Sequence, residues 1–177
     1  MVGQWLLRTF SSCARRSALR GGSCASRAWR GWLERHLRLG INLYPPYLGT
    51  GIRVTEISPD FRSIRVKMPL TFYNRNYVGT QFGGSLYAMC DPFFMLMVIK
   101  NLGPGHVVWD KEARIRFIRP GRGTVHAHFV ITSEQLQKLS AAVAAEGKAE
   151  QVFSVDVTDD EGQLVACVDK RIYARAG

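Results

Sequence analysis

The pattern of apolar and polar positions changes period several times along the chain, and each change marks an element. Trp29, Trp32, Leu33, His36 and Leu37 recur at helical spacing, which predicts a short amphipathic helix over 28–39, ended by Gly40. Tyr44-Pro45-Pro46-Tyr47 reads as a rigid, extended connector. Gly49 and Gly51 open a strand over 51–57, and Ser58-Pro59-Asp60 is a turn. From 61 to 70, Ile64, Val66 and Met68 alternate with Arg65 and Lys67 as in a half-buried strand, and Pro69 puts its end at an edge or bulge. A polar loop over 71–82 leads into Gly83-Gly84. Every side chain from Leu86 to Ile99 is then apolar or nearly so, except Asp91. A helix apolar on all faces is normally buried, and this run falls short of the roughly 20 residues of a membrane span. It predicts one central core helix that stops near Gly103-Pro104-Gly105. Strands over 107–119, 124–132, 150–158 and 163–174 follow, the last two as a hairpin around 159–162. A helix over 134–146, capped by Ser133 and ended by Gly147, interrupts them. This order predicts an α+β architecture in which an antiparallel sheet wraps one long helix.

The carboxylate of Asp91 is the anomaly in that helix. Burying an ionised acid without partners costs on the order of several kcal/mol, because the charge loses its hydration. Three readings stay open on the residues alone. Asp-Pro is the usual N-cap and N1 pair, so Asp91 could begin a second helix at Pro92. Pro92 could instead kink the long helix and turn Asp91 outward. Or Phe94 and Met95, at i+3 and i+4, surround the acid with apolar groups that raise its proton affinity into the range of a general base. Gly83-Gly84 stands at the expected helix start, where unpaired N–H groups and partial positive charge suit a developing oxyanion. Glycine admits a ligand close to the backbone there, although an ordinary loop turn looks the same. Asn74 and Asn76 read as loop residues bonded to their own backbone. Asp110-Lys111-Glu112 reads as a solvated edge of its strand.

Charge and cysteine usage narrow the field. At 177 residues the chain accommodates one domain, read as 28–177, behind a leader at 1–27. Six arginines and no acid lie within 1–33, five of them in the leader, so this N-terminal stretch carries +6 of the formal +10. The high net charge therefore does not mark the domain as a nucleic-acid binder, and no aromatic-interleaved basic patch follows. The leader has transit-peptide composition, and a disordered or mis-started N-terminus reads the same way. We expect a cytoplasmic protein, with a mitochondrial one as the alternative, and no membrane partner. Cys13, Cys24, Cys90 and Cys167 form no ligand cluster, and His126 and His128 share a strand face without a third ligand. No metal and no cofactor are expected.

The spacing Asn76-x5-Phe82-Gly83-Gly84-x6-Asp91 resembles the Asn-x5-His-Gly-Gly-x6-Asp signature of the phenylacetyl-CoA thioesterase branch of hotdog-fold enzymes. Ile115-Arg116-Phe117-Ile118-Arg119-Pro120-Gly121 is similar to the hotdog strand that ends in Arg-Pro-Gly before a turn. The fuller string from Asn76 to Phe93 resembles a hotdog group of unassigned function, described as thioesterase-like. The likeness covers about 40–175. It implies a thioester hydrolase acting on acyl-CoA or acyl-carrier substrates, assembled as a homodimer or a dimer of dimers with its sites at the subunit interface. It implies Asp91 as general base or nucleophile, Gly83 and Gly84 as donors to the thioester carbonyl, and Asn76 as a positioner of water or substrate. Phe82, Tyr87, Phe94 and Met95 would line the acyl site, and Arg119 and Arg122 would meet CoA phosphates. Phe82 stands where the family has His, which removes a polar contact near the carbonyl and argues against a hotdog dehydratase. A non-catalytic acyl-thioester binder is the alternative that this departure favours. A basic RNA-associated or mitochondrial assembly factor is the reading that the leader motivates.

Overall fold

The computed structural model describes residues 36–177. The leader at 1–27 and most of the helix expected over 28–39 lie outside the described residues. Residues 36–42 are helical, so that helix runs past Gly40 rather than ending there. The expected extended connector is a short helix, α1 (Pro45–Thr50), with proline at its first positions and Gly51 closing it at φ 73°. Proline's fixed φ is already helical and its missing N–H is not needed in a first turn, so the Pro pair starts a helix.

β1 (Arg53–Ile57) and β2 (Ser63–Met68) form the first hairpin. The apolar run is split into α2 (Gly83–Ala88) and α3 (Phe93–Leu102). Then come β3 (His106–Phe117), β4 (Val125–Val130), α4 (Ser133–Glu146), β5 (Lys148–Asp159) and β6 (Leu164–Ala176). The six strands form one sheet in the order β1-β2-β4-β5-β6-β3, every neighbouring pair antiparallel. The α+β architecture expected from the sequence is therefore present.

Register follows from which face is buried. Ile64 pairs with Phe129, Val66 with Ala127 and Met68 with Val125, and all six are buried. Val155 opposite Val168 continues the row. A slip of one residue would turn each strand's apolar set to solvent, so the core selects the pairing. α3 lies against β3 and β6. Phe93 and Phe94 press onto Phe129 at 4.9 and 5.3 Å between ring centroids, and Phe94 stacks on Phe153 at 5.2 Å.

The break between α2 and α3 has a simple cause. Pro92 has no N–H to offer Ala88, and its ring would clash with that carbonyl in a continuous helix. The Asp91 N–H reaches Ala88 instead, at 3.4 Å, and the helix restarts at Phe93. Asp91 makes no side-chain cap to the new helix. In α4 the cap is Thr132, one residue before the expected Ser133. Its hydroxyl accepts from the Gln135 N–H at 3.1 Å, and the Gln135 side chain accepts the Thr132 N–H at 2.9 Å.

Candidate functional site

The loop before α2 is built by two asparagines. Asn74 is buried. It donates to the carbonyls of Thr50 and Pro69 at 2.8 and 2.7 Å and accepts the Thr71 N–H at 2.7 Å. Asn76 accepts the N–H groups of Val78 and Thr80 at 3.1 and 3.0 Å and donates to the Thr80 hydroxyl at 2.9 Å. Its side chain is thus engaged by its own loop, as Asx turns are. Gln81 fastens this loop to the rest of the fold. Its Nε2 donates to the carbonyls of Met68 and Gly123 at 3.1 and 2.9 Å, and its N–H reaches the Gly121 carbonyl at 2.9 Å.

Between this loop, the start of α2 and the end of β3 lies a cleft of about 360 Å³, lined by Asn76, Thr80, Gln81, Gly83, Leu86, Phe117, Ile118, Arg119, Pro120 and Gly121. The N–H groups of Gly83 and Gly84 are the first of α2 and have no backbone acceptor among the described residues. Aromatic rings lie where side chains at these two positions would be. A Cβ at Gly83 would meet Phe117 Cζ at 3.0 Å, and one at Gly84 would meet Phe82 Cε1 at 2.5 Å. Phe82 thus folds its ring back over Gly84, half of it open to solvent.

Asp91 does not line this cleft. α2 spans six residues, about 9 Å at 1.5 Å rise per residue, and the acid lies beyond its far end. The apolar surround expected for Asp91 is also absent. Its Oδ1 accepts from the Tyr87 hydroxyl at 2.8 Å and from Lys170 Nζ at 2.8 Å. The side chain keeps 49% exposure, whereas that of Lys170 keeps none. Lys170 Nζ also meets Asp110 Oδ2 at 3.1 Å and the Tyr87 oxygen at 3.4 Å, so all three ammonium protons are engaged. Burial works against the charge on Lys170, and the two carboxylates more than reverse it, holding the ammonium above the ordinary lysine range. Burial also pushes the Asp110 carboxyl up, with Lys170 pulling the other way. The Tyr87 phenol is raised by burial and by its bond to Asp91. Cys90, beside this cluster in the chain, is a buried thiol pushed up to about 12 and is inert as a nucleophile at neutral pH.

The reading of Asp110-Lys111-Glu112 as a solvated edge is corrected for Asp110, and a β-bulge is the reason. Asp110 pairs with Ile172 but Glu112 pairs with Arg171, so β3 carries one extra residue there. Before the bulge Val108 and Asp110 oppose the buried Ala174 and Ile172; after it Ala113 and Ile115 oppose Lys170 and Val168. The bulge turns Asp110 inward while keeping Ile115 on the inner face. Lys170 was missed altogether. Its signal was present: it occupies an apolar parity in Val168, Lys170, Ile172, Ala174, the row that forms the core.

The other expected residues separate. Leu86 and Phe117, neither expected in the acyl site, line the cleft, and Arg119 joins them. Phe94 is fully buried core rather than pocket lining, and Met95 is half-buried against that core. Arg122 faces a second depression shared with Arg119 and with Asp159, Asp160 and Glu161, whose charges offset its own. His126 pairs with Asp160 at 2.7 Å and His128 with Ser63 at 2.9 Å. Among the described residues no group of three or more His, Cys, Asp or Glu could hold a metal ion. No described helix is long and apolar enough to cross a membrane.

Residues 34–174 match the family described as domain of unknown function DUF4442. The chain belongs to this family. No curated protein matches it. Among solved structures it is similar to Pseudomonas aeruginosa PA5026, described as a protein of unknown function and probable thioesterase. That likeness has 21% identity, a TM-score of 0.73, and covers 81% of this chain and 95% of the other. It is similar to the Haemophilus influenzae thioesterase HI1161 at 18% identity and TM-score 0.61, covering 80% and 90%. It is also similar to the PaaI protein of the Escherichia coli phenylacetic acid degradation operon, at 19% identity and TM-score 0.58, covering 84% and 94%. The DUF4442 chain thus has the hotdog fold, with the expected central helix divided at Pro92.

Proposed function

We propose that this DUF4442 protein hydrolyses thioesters of coenzyme A or of an acyl carrier protein, working as a homodimer. The observation that carries the reading is the placement of two complementary groups at opposite ends of α2. The Gly83 amide borders an apolar-walled cleft at one end, with the Gly84 amide next to it in the chain, and a half-exposed carboxylate held by a buried ammonium stands at the other. One chain leaves them apart, and a second chain supplies the missing half to each. β3 supports the dimer: it is twelve residues long, it ends the sheet order, and Val107, Trp109, Phe117 and Ile118 are exposed along or just beyond it. Such an edge is a template for strand addition, and native proteins cover it. Edge-to-edge pairing of two β3 strands would bring the cleft of one subunit towards Asp91 of the other.

The chemistry follows from charge development. The thioester carbonyl accepts the Gly83 or Gly84 N–H, which stabilises the oxyanion as it forms. Asp91 takes a proton from water as the water oxygen bonds to the carbonyl carbon. Collapse of the tetrahedral adduct breaks the C–S bond, and the thiolate takes up the proton. Direct attack by Asp91 through a mixed anhydride, then hydrolysed, gives the same products. Leu86, Phe117 and Phe82 wall the acyl or pantetheine chain, Asn76 and Gln81 hold the loop that forms the cleft, and Arg119 meets CoA phosphate. The test is thiol release from a panel of acyl-CoA and acyl-carrier thioesters. Asp91→Asn should lower kcat by about 10²–10⁴-fold, the contribution of a general base. Binding of acyl-CoA with no thiol release from any substrate would overturn hydrolysis in favour of a binding protein. Wild-type kcat/KM in Asp91→Asn would remove the acid from the mechanism.

A further inference from the structure

Most of the polar groups buried in this fold belong to the loop that forms the cleft. Lys170 does not. It is fully buried, in the row of Val168, Ile172 and Ala174, between cross-strand partners Phe153 and Ala113. A lysine there is costly unless its charge is matched, and replacing such a group by an apolar residue of similar size is often neutral or stabilising. Packing alone therefore does not require it. Its three protons go to Asp91, Asp110 and Tyr87. Asp110 reaches it only because β3 carries a bulge at this point.

We propose that Lys170 is the positioning residue for Asp91, locked in place by Asp110, and that the reacting atom of Asp91 is Oδ2. Oδ1 receives two donors, the Tyr87 hydroxyl and Lys170 Nζ, both at 2.8 Å. Those two bonds fix the plane of the carboxylate and occupy the lone pairs of Oδ1. No donor among the described residues reaches Oδ2, on a side chain that is half exposed. A carboxylate on a helix break, free at its single χ1 and χ2 joints, would sample several rotamers. Two charged or phenolic donors anchored in different elements, β6 and α2, select one. The groups that meet the Lys170 ammonium are Asp91 on the helix break, Tyr87 on α2 and Asp110 on β3, and no second cation among the described residues bonds to these three. This inference rests on the thioesterase reading for the role of Oδ2, but the positioning itself is a structural claim.

The test uses Lys170→Met/Asp110→Asn in the full-length protein. The double variant removes the ammonium and its locking charge together and keeps both volumes, so no uncompensated buried charge is left to unfold the chain. Lys170→Met alone serves as a second variant. In crystals, wild type should show one Asp91 rotamer bonded to Tyr87, and the double variant should show Asp91 rotated away or in several rotamers. With the best acyl-CoA substrate, kcat should fall tenfold or more while KM stays within about threefold. A folded double variant with the wild-type Asp91 rotamer, or with unchanged kcat, overturns the inference. If wild type hydrolyses no thioester, the functional reading fails separately, and the rotamer comparison still decides whether Lys170 positions Asp91.

Discussion

Tyr47 provides a test of how tightly the structure around Asp91 is packed. Its ring is buried in α1, edge-on to Tyr44 at 5.7 Å and tilted against Phe93 at 6.2 Å. Its hydroxyl has no hydrogen-bond partner among the described residues. A buried hydroxyl without a partner costs about 1–3 kcal/mol. Tyr47→Phe removes that cost and keeps every ring contact. The void left by one oxygen, roughly 10 Å³, costs only about 0.2 kcal/mol at the cavity rate. The variant should therefore be more stable at pH 7 by about 1–2 kcal/mol, or about 3–8 °C in Tm for a domain of this size. Alkali should widen the gap. Burial, with Asp91 and Cys90 adding, pushes the Tyr47 phenol well above its ordinary value of 10.0. Above that ordinary value the unfolded chain releases the proton and the native one keeps it, so wild type loses about 1.4 kcal/mol per pH unit from this group. Phenylalanine loses nothing. Urea unfolding followed by circular dichroism at pH 7, 10 and 11 measures both effects. A less stable variant at pH 7 would show that the hydroxyl is bonded, and a gap that stays constant to pH 11 would refute the burial argument.

Gly84→Ala would place a Cβ 2.5 Å from Phe82 Cε1, so the exposed Phe82 ring must swing away. Stability should change by less than about 1 kcal/mol, because alanine's helix preference offsets the lost ring contact, while KM for acyl-CoA shifts by severalfold; an unchanged KM would show that the ring does not border the substrate. Thr132→Ala removes one half of the capping box of α4 and should cost about 1 kcal/mol in urea unfolding, with Thr132→Ser close to wild type. Asp60 is held at about 2 by the Ser58 hydroxyl at 2.6 Å and by Arg62 at 2.8 Å, below the usual 3.8. Its contribution to stability is present above pH 3.8 and lost as pH falls towards 2, so Asp60→Asn should flatten the acid limb of the stability curve in that window and leave the alkaline limb unchanged.

Much of the fold was legible in the residue pattern because side-chain period is a local property. Alternation in Ile64, Val66 and Met68 needs no knowledge of the partner strand to be read, and the β2–β4 register that buries them follows from it. The Asn76, Gly83-Gly84 and Asp91 spacing likewise carried the resemblance to hotdog enzymes. The Pro pair at 45–46 misled, because the same ring that stiffens an extended connector also starts a helix, and only the packing of Tyr47 on Phe93 selects between them.

Asp91 itself divides the two kinds of information. The residue order placed an acid next to Pro92 in an apolar run, and from that alone cap, kink and general base were equally consistent. Which donors meet the carboxylate depends on β6 and β3, nearly eighty and about twenty residues away in the chain. Lys170 faces inward by its own place in the β6 row, but Asp110 meets it only because β3 bulges between Asp110 and Glu112 and changes which β3 residues face inward. A bulge is one extra residue in a ladder, and it leaves no periodic trace long enough to read from composition. The apolar helix and the strands were therefore written in the chain itself. The charge network that holds Asp91 arises from strand pairing, where long-range register sets which distant side chains share a few ångströms of buried space.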